Sequence, residues 1–413
     1  MHQESFQKVS QHIGELRQEA IDLMKAIVPI KALGPLNDGQ GEMEKAEFLL
    51  DYLKTIGFED IKEYPAPDGS VPGGMRPNII ARIPGKNPHK TVWILAHLDV
   101  VPEGDRSKWE TDPFEAVVKD GKIYGRGTED NNQGLVSGIM AARAFIDTGI
   151  TPEYNLGLVL VADEETGSKY GLEFLVEHHA DLFHKDDLII VPDAGEPDSS
   201  MIEVAEKSIL WIKFKTVGKQ VHASMPSRGI NAFKAACHLA VELESLYQKY
   251  DANDPVFDPP ISTFEPTKKE ANVPNVNTIP GDDVFYLDCR ILPQYDIADV
   301  MNYVRGICDG IEKKFKVKIE MSSDQEEQAA PATPVDAEVV TALKKGIKEV
   351  YGIDAKPMGI GGGTVAAIFR RAGFNAAVWS TLDDLAHQPN EYCKIDNMVN
   401  DAKVMAHVCL EKA

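Results

Sequence analysis

Short apolar segments typical of buried strands alternate with amphipathic, helix-like segments through the first half of this 413-residue chain. The helical segment 134–145 precedes the apolar strand 156–162, and the helical segment 171–178 separates that strand from the next, 188–191. Strands that are apolar on both faces and joined by helices are typical of parallel sheets. We therefore predict an α/β fold, with a mainly parallel sheet and helices on both of its faces.

The pattern changes after Glu206. The following segments are predicted, in order, as strand 210–217, helix 231–247, strands 261–266 and 284–292, helix 297–315 and strand 317–321. This β-α-β-β-α-β order is that of a ferredoxin-like α+β domain.

A low-complexity stretch, Ser322–Pro334, reads as a linker, and α/β patterning resumes after it. We therefore predict one α/β domain in two parts, 1–207 and 326–413. The ferredoxin-like domain, 208–325, is inserted between them.

The charge and cysteine content exclude several classes of protein. A formal net charge of −22 argues against a nucleic-acid partner, which requires a basic face. No apolar run approaches the ~20 residues of a membrane span, and the first residues lack a signal-peptide pattern. Five cysteines without a CxxC motif argue against a disulfide framework or a cysteine zinc site. We expect a reduced, cytoplasmic protein that binds neither nucleic acid nor membrane.

Acidic and histidine side chains follow several of the predicted strands. In open parallel sheets, ligands bind beyond the carboxyl ends of the strands. The segments at such ends supply His97 and Asp99; Asp130; Asp163, Glu164 and Glu165; Asp193 and Glu196; and Asp383, Asp384, His387 and Glu391. Histidine and carboxylate ligands without cysteine suit zinc, cobalt or manganese. So many ligands suit two ions that share a carboxylate, a known hydrolytic arrangement.

The motifs HLDVVPEG, GRGTED, ADEETG, VPDAGE and AHQPNEYC, in this order, resemble the di-zinc aminoacylase/carboxypeptidase family. That family includes acetylornithine deacetylase, succinyl-diaminopimelate desuccinylase, glutamate carboxypeptidase of the G type and carnosinase-like dipeptidases. The resemblance covers essentially the whole chain. It implies a metal-dependent hydrolase that cleaves the amide bond of an N-acyl amino acid or short peptide next to a free carboxylate.

Two alternatives remain open at this point. Deacylase or desuccinylase activity and dipeptidase or carboxypeptidase activity share all of these motifs. A non-catalytic metal-bound scaffold on the same fold is a more remote alternative. Loss of a ligand or of the catalytic base would have indicated it, and both are present in the sequence.

The resemblance also implies the ligands of two divalent ions, zinc first, with cobalt or manganese possible. One ion is expected at His97, Asp130 and Asp193. The other is expected at Asp130, Glu165 and His387, so that Asp130 bridges the two.

Two further acids have implied roles beside the ions. Asp99 is expected to orient the imidazole of His97 from behind, as a carboxylate commonly does for a metal-bound histidine. Glu164 is expected to act as general base, taking a proton from the bridging water and returning it to the leaving nitrogen.

The inserted domain resembles the family's lid and dimerisation domain. His222, in VHASMPSRGINA, is implied to reach the active site of the other subunit of a homodimer and to stabilise the oxyanion. The implied contacts to the substrate carboxylate are Arg290, Asn277, Gly361, Gly362, Gly363 and Thr364.

The sequence departs from the family pattern at two places. Many relatives read D-x-K-G after the bridging acid, whereas this chain reads Asp130-Asn131-Asn132-Gln133-Gly134. Many have an aspartate soon after the GGT, where this chain has Val365 and Ala366. Neither departure replaces a predicted ligand, but both bear on the substrate pocket.

Overall fold

The computed structural model describes residues 2–412. Its α-helices are α1 His2–Glu15, α2 Arg17–Ile27, α3 Met43–Thr55, α4 Gly134–Thr148, α5 Leu172–His178, α6 Ala232–Glu242, α7 Ser245–Lys249, α8 Ile297–Phe315, α9 Glu338–Tyr351, α10 Ala366–Arg371 and α11 Ile395–Leu410. None of the helices in this described range combines the length and hydropathy that a membrane span requires.

The strands lie between Asp60 and Lys394. They are β1 Asp60–Glu63, β2 Ala66–Pro67, β3 Met75–Arg76, β4 Ile79–Ile83, β5 Asn87–His97, β6 Val117–Lys119, β7 Lys122–Tyr124, β8 Tyr154–Val161, β9 Leu188–Val191, β10 Met201–Glu206, β11 Ser208–Val217, β12 Val221–His222, β13 Thr263–Lys269, β14 Thr278–Ile279, β15 Asp282–Ile291, β16 Lys318–Glu327, β17 Lys356–Ile360, β18 Ala376–Val378 and β19 Tyr392–Lys394.

The chain divides into two compact units. The first comprises Met1–Val204, Thr333–Pro357 and Val365–Ala413, and the second comprises Ala205–Ala332 and Met358–Thr364. The predicted inserted segment, 208–325, lies within the second unit, which also takes in the short glycine-rich stretch near residue 360.

An eight-stranded sheet forms the centre of the first unit, in the order β1-β4-β8-β5-β9-β18-β10-β17. The four strands β8, β5, β9 and β18 are mutually parallel, with Ala96 opposite Leu160 and Ile94 opposite Ile190. The pairs β1–β4, β4–β8 and β10–β18 are antiparallel. The α/β class is confirmed, and the parallel pairing is concentrated at the middle of a mixed sheet.

Helices cover both faces of this sheet. On one face, Trp93 and Val159 belong to a buried cluster that includes Leu175 of α5 and Phe369 of α10. On the other face, α4 lies close to β5 and β8. A Cβ atom at Gly138 would lie 3.0 Å from the Ile94 side chain, so glycine permits this close approach.

The second unit contains a four-stranded antiparallel sheet in the order β13-β15-β11-β16. Numbered along the chain, this order is 2-3-1-4, the ferredoxin-like arrangement that the element order predicted. Helices α6 and α8 pack their apolar faces on the sheet, where Leu239 and Val304 are fully buried beside Phe214.

The structure corrects several sequence-based boundaries. The predicted linker is in part a strand, because residues up to Glu327 pair with β11 along β16. Main-chain hydrogen bonding does not depend on apolar side chains, and an edge strand tolerates exposed Ser, Asp and Glu. The predicted helix 231–247 is two helices, α6 and α7. Strands β10 and β17 were not predicted.

Candidate active site

The ends of three neighbouring parallel strands meet at one edge of the sheet in the first unit. Strand β5 ends at His97, and β8 ends just before the turn that carries Glu164 and Glu165. Strand β9 ends two residues before Asp193. Because β8, β5 and β9 are adjacent and parallel, these side chains come together.

Asp130 lies at the centre of this cluster, on an irregular helical turn, Thr128–Gln133, that leads into α4. Its Oδ1 is 2.9 Å from Nε2 of His97, and its Oδ2 is 3.3 Å from Nε2 of His387. One carboxylate therefore faces two imidazoles through different oxygens. This is the placement expected of a bridging acid.

The other predicted ligands surround Asp130. Asp193 Oδ1 is 3.5 Å from His97 Nε2, and Glu165 Oε2 is 2.9 Å from His387 Nε2. Two groups of side chains bring their ligand atoms within 4.8 Å of one another: His97, Asp130 and Glu165; and His97, Glu164 and Asp193. The second group contains Glu164, the predicted general base, where the predicted set of ligands contains Asp130.

The site contains more carboxylates than imidazoles. Burial raises the pKa of Glu164 well above its usual value, and the neighbouring charge of Asp193 adds to this. Burial alone would lower the pKa of His97, but hydrogen bonds with Asp130 and Asp193 outweigh burial and raise it well above 6.5. Hydrogen bonds with Asp130 and Glu165 raise the pKa of His387 to about 10. Glu164 therefore resists ionisation and the imidazoles retain protons, as expected where carboxylates are crowded together.

These residues fit divalent metal ions. Oε1 of Glu165 is buried and has no hydrogen-bond partner in the described part of the chain. A buried carboxylate oxygen is costly unless it is paired or coordinates a cation. The donor set of two imidazoles and several carboxylates suits zinc or a similar ion.

Asp99 holds the glutamate turn in place. Its Oδ1 accepts a hydrogen bond from the backbone N–H of Glu164 at 3.1 Å, and its Oδ2 accepts one from Glu165 at 3.0 Å. His97 Nδ1 donates to the Asp99 backbone carbonyl at 3.0 Å and lies 3.5 Å from its carboxylate. The backbone carbonyl thus makes the shorter contact with the imidazole, and the carboxylate orients the turn.

The turn itself leaves strand geometry at once. Asp163 has a positive φ of 65°, Glu164–Thr166 forms one 3₁₀ turn, and Gly167 follows with φ 113°. Asp163 accepts hydrogen bonds from the backbone N–H of Tyr170 at 3.1 Å and from Arg76 at 3.3 Å. This explains how two consecutive glutamates both reach the cluster, although adjacent strand residues point to opposite faces.

Two buried glutamates hold the loops of Asp130 and His387: Glu391, which the sequence placed among the acids at the strand ends, and Glu129, to which it gave no role. Glu391 accepts the backbone N–H groups of Glu129 at 2.8 Å and Asp130 at 3.1 Å. Glu129 accepts the backbone N–H of Asp383 at 2.6 Å. Each loop carries the carboxylate that anchors the other. Sequence spacing contains no signal for this, because the partners are more than 250 residues apart.

Two of the predicted site residues of the second unit are neighbours. His222 lies on β12, which pairs with β14, and the backbone carbonyl of Asn277 accepts the N–H of Ala223 at 2.8 Å. The His222 side chain is exposed, and its Nδ1 lies 2.8 Å from Oγ of Ser224.

The other predicted substrate contacts of the second unit also come together. Arg290 donates to both carboxylate oxygens of Asp288, at 2.9 and 3.1 Å, and to the carbonyl of Gly361 at 2.9 Å. The N–H of Thr364, at the end of the glycine run, donates to Glu206 at 2.9 Å. The donors expected to bind an anion therefore already contact carboxylates of the chain itself. Gly362 and Gly363 lie between Gly361 and Thr364.

Comparison with known proteins finds relatives over most of the chain. Residues 93–411 match peptidase family M20/M25/M40. The chain is 44% identical over 411 residues to an uncharacterized metallohydrolase of Methanocaldococcus jannaschii, covering 95% of this chain and 99% of that protein. It is 30% identical over 388 residues to a succinyl-diaminopimelate desuccinylase of Roseobacter denitrificans, covering 92% and 95%.

The fold is similar to that of human carnosine dipeptidase 1, with a TM-score of 0.72 at 21% identity and 98% coverage of both chains. The resemblance inferred from the five motifs is confirmed. The chain belongs to peptidase family M20/M25/M40 and is a metal-dependent hydrolase of the peptidase and amidohydrolase type.

Proposed function

We propose that this protein hydrolyses the amide bond of an N-acyl amino acid or a short peptide next to a free carboxylate. The observation that carries this proposal is Asp130, whose two oxygens face His97 and His387 within a cluster of further acids. Such an arrangement suits two divalent ions acting on one substrate, and zinc is the first candidate.

The ligand assignment follows the sequence prediction. His97, Asp130 and Asp193 would hold one ion, and Asp130, Glu165 and His387 the other; the short distances among these side chains support this division. When bound, the ions supply Lewis-acid activation of the scissile carbonyl and of the attacking water.

Glu164 is the proposed general base. Its backbone is held by Asp99, while its carboxylate makes no hydrogen bond among residues 2–412 and lies 4.0 Å from His97 Nε2. A carboxylate that is positioned but not engaged can accept a proton from water. It can then return that proton to the leaving nitrogen.

His222 is the proposed oxyanion donor, acting in the partner subunit of a homodimer formed through the inserted lid domain. The backbone N–H of Ser224 points to Nδ1 of His222 at 3.2 Å, so Nδ1 acts as an acceptor. This keeps the ring proton on Nε2, which is then available to donate to a substrate oxygen.

Arg290, Asn277 and the glycine run that ends at Thr364 remain the proposed contacts for the substrate carboxylate. The alternative, a dipeptidase or carboxypeptidase, would use the same contacts. Arg290 and Thr364 already donate to Asp288 and Glu206. A substrate carboxylate would therefore share or replace these hydrogen bonds.

A substrate panel tests the proposal. Protein loaded with zinc or cobalt is assayed for release of free amine from succinyl and acetyl amino acids, dipeptides, and their carboxyl-amidated forms. We expect turnover of at least one class with a free carboxylate and much weaker turnover of its amidated form. Absence of hydrolysis across the panel, with two ions bound per chain, contradicts the proposed activity.

A further inference from the structure

The three residues after Asp130 connect its turn to separate parts of the first unit. The Asn131 amide donates to the carbonyl of Pro192 at 2.7 Å and to Asp193 Oδ1 at 2.5 Å. The Gln133 amide donates to the carbonyl of Thr381 at 2.9 Å. The Asp130 turn is therefore linked through side chains to the segments that carry Asp193 and His387.

The connection to the end of β5 runs through a buried lysine. Lys45, on α3, is 1% exposed, and its Nζ donates to Oδ1 of Asn132 at 2.6 Å and to the carbonyl of Leu98 at 2.7 Å. Leu98 lies between His97 and Asp99. The ammonium group thus joins the strand end that carries His97 to the turn that carries Asp130.

Lys45 has no ion pair within 4.0 Å among residues 2–412, although it lies inside the protein. Burial lowers its pKa to about 8, and the charges of Asp99 and Glu42 act in the opposite direction. The neighbouring carboxylates therefore favour the charged form of Lys45. A buried charge held only by neutral acceptors is costly, and a hydrophobic side chain would fill the space at lower cost.

We infer that Lys45 is a positioning residue that acts through Asn132 to hold Asp130 at the correct distance from His97 for metal binding. The inference rests on the proposed metal centre. The segment after Asp130 contains no lysine of its own, so the cation that fixes this turn comes from a helix about 85 residues earlier in the chain.

Removal of Lys45 changes metal affinity in opposite directions in the two cases: a positioning role and a purely electrostatic one. A buried cation near the site repels metal ions, so its removal strengthens metal binding if charge is all that matters. If Lys45 positions Asp130, its removal weakens metal binding. Loss of a group that orients a ligand typically costs on the order of 10- to 100-fold in metal affinity.

The test is a Co²⁺ titration of the full chain, followed by the visible absorption of the bound ion. The variants are Lys45→Met, Asn132→Leu and the double variant, with Lys54→Met as control on an exposed position of the same helix. We expect each single change to weaken Co²⁺ binding about 10- to 100-fold. The double variant should be no weaker than the more affected single variant, because both changes break the same connection. Lys54→Met should bind as the wild type does.

Three results overturn the inference: tighter Co²⁺ binding by Lys45→Met, unchanged binding by Asn132→Leu, or fully additive losses in the double variant. Asn132→Leu keeps the ammonium group and its bond to Leu98, so it decides the question even if Lys45→Met does not fold. Failure of the wild-type protein to bind Co²⁺ would instead contradict the proposed metal centre.

Discussion

The carboxylate of Asp99 accepts a hydrogen bond from the backbone N–H of Glu164 at 3.1 Å, across 65 residues of sequence. The same carboxylate accepts the next N–H, that of Glu165, at 3.0 Å. The residue behind His97 therefore also sets the position of the proposed base and of one proposed ligand. One aspartate couples two of the strand ends that form the site.

Asp99→Asn tests this coupling. An asparagine side chain has one acceptor oxygen, so one of the two backbone N–H groups loses its partner. We expect metal affinity and kcat each to fall by about 10- to 100-fold. Metal titration and steady-state kinetics measure this, with the exposed Asp105→Asn as control. Wild-type values in Asp99→Asn would show that the backbone bonds do not matter.

Glu164→Gln separates a base from a ligand. A general base typically contributes about 10²- to 10⁴-fold to the rate, so kcat should fall by that factor. Both metal ions should remain bound, as measured by elemental analysis of the purified variant. The metal analysis is needed because the Glu164 carboxylate lies close enough to His97 and Asp193 to be a metal ligand itself. Loss of an ion would assign Glu164 to metal binding.

Chelation should destabilise the first unit. The acids around Asp130 repel one another without a cation, and binding to the folded state alone stabilises it by about 2.7 kcal/mol at a ligand concentration of 100 Kd. We expect Tm, measured by calorimetry, to fall on chelation and to recover on adding zinc. Asp130→Asn should show a much smaller change. An equal zinc-dependent shift in that variant would place the stabilising ion elsewhere.

The Arg76→Met variant should have a lower free energy of unfolding than the wild type. The Arg76 side chain is 2% exposed and pairs with Glu42, Asp68 and Asp163, which are also buried. Removal of one partner of a buried ion pair costs about 3–5 kcal/mol, because the remaining charges stay uncompensated. Urea denaturation measures the loss. Arg82→Met, which breaks a partly exposed pair with Asp60, should cost at most about 1 kcal/mol. Equal losses would refute the argument from burial.

Mixed dimers test the proposed role of His222. His222→Ala and Glu164→Ala homodimers should both be inactive. A mixture refolded together should regain part of the activity, since one site in each mixed dimer keeps both residues. Size-exclusion chromatography establishes the dimer first. A dimeric mixture without any recovered activity would mean that His222 does not act across subunits.

Much of the fold follows from local patterns in the sequence. The apolar strands β8 and β9 and the long helix α8 were predicted within a few residues, because burial on both faces and a 3.6-residue period are local signals. Polar strands lack that signal. The end of β16, rich in Ser, Asp and Glu, reads as a linker until its pairing with β11 is seen.

In the candidate site, too, local sequence patterns predicted some residues and not others. The motifs were sufficient to select the candidate metal ligands, because each follows a predictable element. These are His97, Asp130, Glu165, Asp193 and His387. The motifs gave no indication of Lys45, whose partners Leu98 and Asn132 belong to other elements. A lysine on an amphipathic helix is usually solvent-exposed, so local sequence argued against its burial.

The sequence by itself determined the α/β class, the inserted ferredoxin-like domain and the set of acids and histidines at the strand ends, because periodicity and strand topology are encoded along the chain. Only the tertiary structure decided which donor meets which acceptor. Asp99 holds the glutamate turn, Lys45 holds the Asp130 turn, and Arg290 already pairs with Asp288. Such contacts depend on distances of a few ångströms between folded segments, and hydrophobic patterning does not specify them.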